Sequence, residues 1–174
     1  MKNFEVTDKE TGKRYWISRS IAVCAMVIVI DNDGKRYILV NQRGSGTPNF
    51  QHCWNIPCGY LDWDETTQEA CTREVLEECG VYIEPLKWHH IYTDSSTLSY
   101  NQNVTLRYVA YLNETEYEEG VKRGKGLNNH DGEENEVENI ELMPLSQENI
   151  YNKEWAFNHE KIIIDLIDTY GSKY

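Results

Sequence analysis

The run from Ile21 to Ile30 is apolar at every position, as expected of a strand buried on both faces. Asp31-Asn32-Asp33-Gly34 then reads as a turn, and Tyr37 to Asn41 as a returning strand. Upstream, residues 3–18 read as a hairpin, with Glu10-Thr11-Gly12 as the turn and Tyr15-Trp16-Ile17 as the second arm. A Gly/Ser/Pro loop fills residues 44–53, and Trp54-Asn55-Ile56 is a short extended segment. Thr66 followed by Glu69 is a capping-box signature, so a helix is expected from near Thr66 to Gly80. On it Cys71, Val75 and Cys79 form one narrow core stripe at roughly 100° per residue. Further strands are expected over Leu86 to Tyr92, Val104 to Leu112 and Val137 to Leu142, and a helix over Trp155 to Tyr170. Two polar stretches are expected as loops: Thr93 to Asn103, lying over a site, and the acidic, glycine-bearing residues 113–135, mobile. A helix between strands with a second helix closing the chain predicts an α/β protein, an α/β/α sandwich around a mixed sheet.

Composition narrows the class. The chain has 174 residues, enough for one domain with a sizeable core, so residues 1–19 are an extension and 20–174 a single domain. The 29 acidic residues against 17 basic give a net charge of −12, which argues against a nucleic-acid polymer or an anionic membrane as partner. No apolar run reaches the ~18 residues of a membrane span and no signal-peptide pattern opens the chain, so a cytoplasmic location is expected. Five cysteines, an odd number among apolar neighbours, read as reduced core residues, and His52, Cys53 and Cys58 lack the spacing of a zinc site.

The expected helix carries the candidate chemistry. Glu74, Glu77 and Glu78 fall at i, i+3 and i+4 and so share a face away from the cysteine stripe. Like charges so placed repel by a few tenths of a kcal/mol per pair. Such a face is either simply solvated or gathered around a hard divalent cation, with Mg²⁺ foremost and Mn²⁺ next.

The stretch GYLDWDETTQEACTREVLEECGV, residues 59–81, resembles the box of the Nudix hydrolases, G-x5-E-x7-R-E-U-x-E-E-x-G-U with U aliphatic. Gly59, Glu65, Arg73, Glu74, Val75, Glu77, Glu78, Gly80 and Val81 meet every defined position. The resemblance implies a Nudix-type fold from about residue 20 to 170 and a divalent-metal-dependent hydrolase of a phosphoanhydride. It implies metal binding at Glu74, Glu77 and Glu78, with Arg73 orienting those carboxylates and Glu65 as its partner. It also implies a backbone-carbonyl ligand before the box glycine. Here that residue is Cys58, where the family usually has glycine, a swap that strains any backbone needing positive φ. Gly59 is expected to let the chain turn tightly towards the metal.

Outside the box the resemblance is looser. Arg43, ending the second strand, is expected near substrate phosphates, where a guanidinium fork suits a diphosphate. Glu136 is expected as the general base, with Glu134, Glu138 and Glu77 as rivals. Tyr60 and Trp63 are expected to stack on a flat substrate group, and Phe50 and Trp54 also flank the box. The expected partner is a small phosphoanhydride, read as a nucleoside diphosphate linked to another moiety, and a homodimer stays open. The signatures of particular substrates do not match; the tyrosine of dinucleoside polyphosphate hydrolases has only a slightly displaced counterpart in Tyr100. A non-catalytic nucleotide-binding module usually loses box glutamates, and an isoprenoid-diphosphate isomerase protonates an alkene instead. Intact glutamates here argue against both.

Overall fold

Alternation along one strand divides the molecule. In the computed structural model, which describes residues 2–97, 103–127 and 135–170, the apolar run forms β3 (Ser20–Ile30). Its odd-numbered residues Val23, Ala25, Val27 and Val29 enter one core and Cys24, Met26 and Ile28 the other. Successive side chains of a strand point to opposite faces, so an unbroken apolar run is what a strand in a middle layer requires.

Strands β4 (Arg36–Arg43), β5 (Trp54–Asn55), β6 (Cys58–Tyr60), β7 (His89–Asp94), β8 (Asn103–Asn113) and β9 (Val137–Pro144) complete a seven-stranded sheet. Its order is β5-β4-β3-β8-β7, with β6 also on β3 and β9 on β4. The pair β3–β8 is parallel and the others antiparallel, so the sheet is mixed as expected. Two helices cover the odd face of β3: α1 (Thr67–Cys79) and α2 (Glu114–Leu127). On the other face lie α3 (Gln147–Tyr151) and α4 (His159–Tyr170). The α/β/α sandwich is therefore observed. The hairpin of β1 (Phe4–Thr7) and β2 (Arg14–Ile17) forms a separate two-stranded sheet.

Four expectations need correction. Residues 114–127 are helical, not loop. Asn113 Oδ1 accepts from the Glu116 N–H at 2.9 Å while the Asn113 N–H donates to Glu116 Oε2 at 2.9 Å, a capping box like that of α1. The expected helix from Trp155 begins at His159 instead, because Trp155 is buried in an isolated bridge to Trp54. The expected strand from Leu86 begins only at His89, since Pro85–Lys87 forms a 3₁₀ turn. The expected loop Thr93 to Asn103 is strand at both ends; residues 98–102, Tyr100 among them, lie outside the described residues, as do 128–134 with Glu134. None of the described helices is long and apolar enough to cross a membrane.

Candidate active site

Helix α1 starts and stops where its caps dictate. The Thr66 side chain accepts from the Glu69 N–H and Glu69 accepts from the Thr66 N–H, while Gly80 closes the helix at φ 68°. Between these caps Cys71, Val75 and Cys79 are buried in the core, which turns Arg73, Glu74, Glu77 and Glu78 towards β6 and the end of β4.

Arg73 organises the cluster. Its Nε and Nη2 donate to Glu65 at 3.0 and 2.7 Å. Nη1 donates to Glu74 at 2.7 Å and to Glu77 at 3.1 Å, and Nη2 also to the Tyr60 carbonyl at 2.9 Å. All five N–H groups of the guanidinium are thereby used. The hydrogen bonds with Glu65 raise the arginine further above its ordinary value. Burial alone would raise Glu65, but bonds from Arg73 and the Asp62 N–H outweigh it and hold the carboxyl below the ordinary range.

Glu74 and Glu78 lie deeper. Burial pushes Glu74 up to about 7 against the pull of Arg73, with Glu77 and Glu136 adding repulsion. Glu78 is pushed well above the ordinary carboxylate value by burial first and by Glu74 second, although Asn41 Nδ2 donates to it at 2.6 Å. The Cys58 backbone N–H also donates to Glu78. The register explains why: Ala25 N–H bonds the Pro57 carbonyl, so the paired residues Cys24 and Cys58 form a non-hydrogen-bonded pair. The N–H and C=O of Cys58 then face away from β3, towards the carboxylates.

Gly59 sits in β6 and is not among the positive-φ residues, nor is Cys58, so neither strain nor a tight turn accounts for the glycine. A Cβ on Gly59 would lie 2.1 Å from Glu74 Oε1. Close approach of the glutamate is the reason for glycine here.

Among the described residues no three His, Cys, Asp or Glu side chains converge as a ready-made metal cage. Arg73 draws Glu74 and Glu77, and Asn41 draws Glu78. The donor chemistry nonetheless fits a hard divalent cation. Two carboxyls raised by burial, Glu78 also by Glu74 and both by Glu136, beside an outward-facing backbone segment at Cys58, offer oxygen ligands whose crowded charge a cation would offset.

Glu136 is half-buried and stands close enough to raise both Glu74 and Glu78, so the structure brings it to the cluster. Its carbonyl also accepts from the Gly44 N–H, tying loop 44–53 to this edge. Its rival Glu138 is held by His52 Nδ1 at 2.6 Å. Arg43 follows a bulge at Gln42/Arg43; its Nε donates to the Asn49 carbonyl at 3.1 Å and its guanidinium lies 5.2 Å from the centre of the Phe157 ring. Phe157 in turn packs on Phe50 at 4.8 Å, both rings half-exposed. Tyr60 is 58% and Trp63 93% exposed, so packing fixes neither ring.

Two polar residues of the site were not anticipated. Asn41 is a buried amide inside the apolar strand Leu39-Val40, and that break in the pattern was its signal. His159, also buried, accepts from the Ile56 N–H through Nδ1 at 3.0 Å and so fixes the segment entering the box. Burial, with Arg107 and Arg43 adding, pushes this imidazole down to about 3, so it is neutral.

Comparison with known proteins agrees with this fold. The NUDIX domain family matches residues 21–166. Phosphatase NudJ of Escherichia coli strain K12 is 39% identical over 57 residues, 33% of this chain and 34% of its own length. The match thus spans about a third of the length of that curated relative. The NUDIX domain of Shewanella oneidensis NrtR, solved in complex with ADP ribose, superposes with a TM-score of 0.63 at 18% identity, covering 87% of this chain and 88% of that one. RenU, a Nudix hydrolase from M. smegmatis, superposes with a TM-score of 0.61 at 15% identity, covering 98% and 96%. At such identities the two structures speak for the fold.

Proposed function

Because the chain belongs to the Nudix family, we propose that it hydrolyses a phosphoanhydride bond, in a nucleoside diphosphate linked to another moiety, with a divalent cation bound. The observation that carries this reading is the face of Glu74 and Glu77, held by Arg73, and Glu78, held by Asn41, against Cys58. Glu74, Glu77, Glu78 and the Cys58 carbonyl are the groups that would hold Mg²⁺ or Mn²⁺. Such a cation, when bound, neutralises phosphate charge and acidifies water. Arg73 and Glu65 keep the carboxylates in place, and Arg43 is assigned to the substrate phosphates. Glu136, beside the cluster but engaged by none of the box residues, is assigned to accept the proton of the attacking water. Tyr60 and Trp63 remain the exposed rings available to a flat leaving group.

The test is incubation of nucleoside diphosphate derivatives with Mg²⁺ or chelator, products being identified by mass. Cleavage at the anhydride is expected with Mg²⁺ alone, and Glu78→Gln should lose nearly all of it while keeping its helical signal. Full activity of Glu78→Gln in chelator would sink the assignment. A second reading comes from the likeness to the ADP-ribose complex of NrtR: ligand binding without turnover. Recovery of a tightly bound nucleotide unchanged, with Mg²⁺ present, would favour it.

A further inference from the structure

His52 stands in a left-handed backbone conformation, φ 64°, near the end of loop 44–53. Its loop neighbour Phe50, φ 55°, and Asn135, φ 64°, just before β9, share that conformation. Histidine and asparagine tolerate it better than most residues, whereas a bulky phenylalanine adopts it only under constraint. Such strain costs on the order of 1–3 kcal/mol per residue, persists only where the surroundings over-determine it, and clusters at functional sites.

The constraint is visible in the bonds of His52. Its N–H donates to the Arg43 carbonyl at 2.7 Å, and its carbonyl accepts from Gln42 Nε2 at 2.8 Å. Its ring Nδ1 donates to Glu138 Oε2 at 2.6 Å. These three partners are members of the bulge between β4 and β9. Gln42 pairs with Asn139 and Arg43 with Val137, which leaves Glu138 as the extra residue. Bulges re-aim side chains and are common beside active sites. An ion pair as exposed as that of His52 and Glu138 is worth little by itself. Joined to the two bonds of the His52 backbone, it closes a clamp on the bulge.

The bulge decides where two groups outside the box stand. Without its extra residue Arg43 would oppose Glu138, and Gly44 would oppose Val137. Glu136 would then slide one position, roughly 3 Å, along the sheet. Instead the Gly44 N–H bonds the Glu136 carbonyl at 2.6 Å, and the Gly46 N–H bonds that of Asn135 at 2.9 Å. The approach is close, since a Cβ on Gly44 would lie 2.1 Å from the Asn135 carbonyl oxygen. Held there, Glu136 is near enough to raise Glu74 and Glu78.

Resting on the hydrolase reading above, we propose that His52 is a positioning residue of that reaction. By clamping the bulge it sets Arg43 at the substrate phosphates and Glu136 at the attacking water. It acts through these two groups and not on the substrate itself.

The test compares kcat and KM across variants of the whole protein, with a cleaved diphosphate and Mg²⁺. His52→Gly keeps the left-handed backbone without steric cost and removes the ring, so it separates the clamp from the strain. It should raise KM through Arg43 and lower kcat by about tenfold to a hundredfold, since a shift of around an ångström suffices. His52→Asn tolerates the same conformation and offers an amide N–H to Glu138, so it should recover most of the loss. Glu138→Ala should resemble His52→Gly, and the double variant should be worse than either by less than about threefold, as for two members of one contact. Mn²⁺ affinity at the α1 carboxylates, read by electron paramagnetic resonance, should hold in all of them. A kcat within about threefold of the parent in His52→Gly, losses that multiply in the double variant, or no recovery in His52→Asn would overturn the proposal. So would a matching loss of Mn²⁺ affinity, which would mark a general loosening.

Hydrogen exchange tests the clamp apart from the chemistry. In His52→Gly the amides of Gly44 and Gly46 should exchange faster while those of α1 keep their protection. Unchanged exchange at both glycines would overturn the clamp. Faster exchange there, in a protein whose parent form cleaves no nucleoside diphosphate, would instead sink the hydrolase reading and leave the clamp standing.

Discussion

Arg73 touches four partners with five N–H groups, and all four belong to the cluster or its approach: Glu65, Glu74, Glu77 and the Tyr60 carbonyl. No N–H is left for substrate, so its contribution is positional. Arg73→Ala should therefore lower kcat by about a hundredfold, the cost of misplacing reacting groups by around an ångström. KM should change little, and a raised KM with unchanged kcat would contradict the role. These box residues were legible because their spacing is itself the signal. Asn41, Arg107 and His159 were not, since each has its partner remote in sequence. His159 also bears on pH dependence. Its folded value of about 3 lies below the ordinary 6.5, so the unfolded chain binds the proton more readily. Its contribution is complete above pH 6.5 and shrinks as pH falls, by up to about 1.4 kcal/mol per unit, until pH passes 3. His159→Asn can still accept the Ile56 N–H through its side-chain oxygen. Denaturant unfolding at pH 4.5 and 7.5 should show a smaller stability difference for this variant than for the parent. An identical difference would mean that other groups set the acid sensitivity.

Two helices of similar length were read with opposite success. Helix α1 announced both ends through Thr66, Glu69 and Gly80, and its apolar stripe was regular. Helix α2 holds three glycines, Gly120, Gly124 and Gly126, in an acidic stretch, and they suggested a loop. Two of them have a packing reason. A Cβ on Gly120 would come within 2.7 Å of the Tyr82 carbonyl oxygen, and one on Gly124 within 2.1 Å of the Gly80 carbonyl oxygen. The helix thus lies directly on the backbone that follows α1, and its Gly120 carbonyl accepts from the Tyr82 N–H at 3.0 Å. Gly126 meets nothing within 4 Å. The same substitution should then have opposite signs two residues apart. Gly126→Ala should stabilise by roughly 0.5–1 kcal/mol through helix propensity alone. Gly124→Ala forces backbone apart and should destabilise by about 1–3 kcal/mol in spite of that gain. Chemical denaturation of the two variants reads both signs, and stabilisation by Gly124→Ala would show that α2 is not seated on Gly80.

At the scale of the molecule, the sheet and its two helical layers account for the cores and the candidate site, whereas the first hairpin belongs to neither. Among the described residues strands β1 and β2 pair only with each other, and Phe4, Trp16 and Ile17 on them are exposed. An isolated two-stranded hairpin is at best marginally stable in water, so it adds little to the rest by itself. The chain becomes fastened only beyond it: Arg19 donates to the carbonyls of Ser95 at 3.0 Å and Ser96 at 2.9 Å, and also to that of Asn103. The family match begins just after this fastening, at residue 21. Neither core contains a residue before Ala22. Removal of residues 2–17, which keeps Arg19, should therefore lower the melting temperature by no more than about 4 °C, the shift for roughly 1 kcal/mol in a chain of this size. Divalent-cation binding at the α1 carboxylates should be unchanged, because every residue that fixes them lies after Arg36. A drop beyond about 10 °C would show that the exposed apolar side of the hairpin is covered in solution, and the extension would then have to be counted as part of the folded domain.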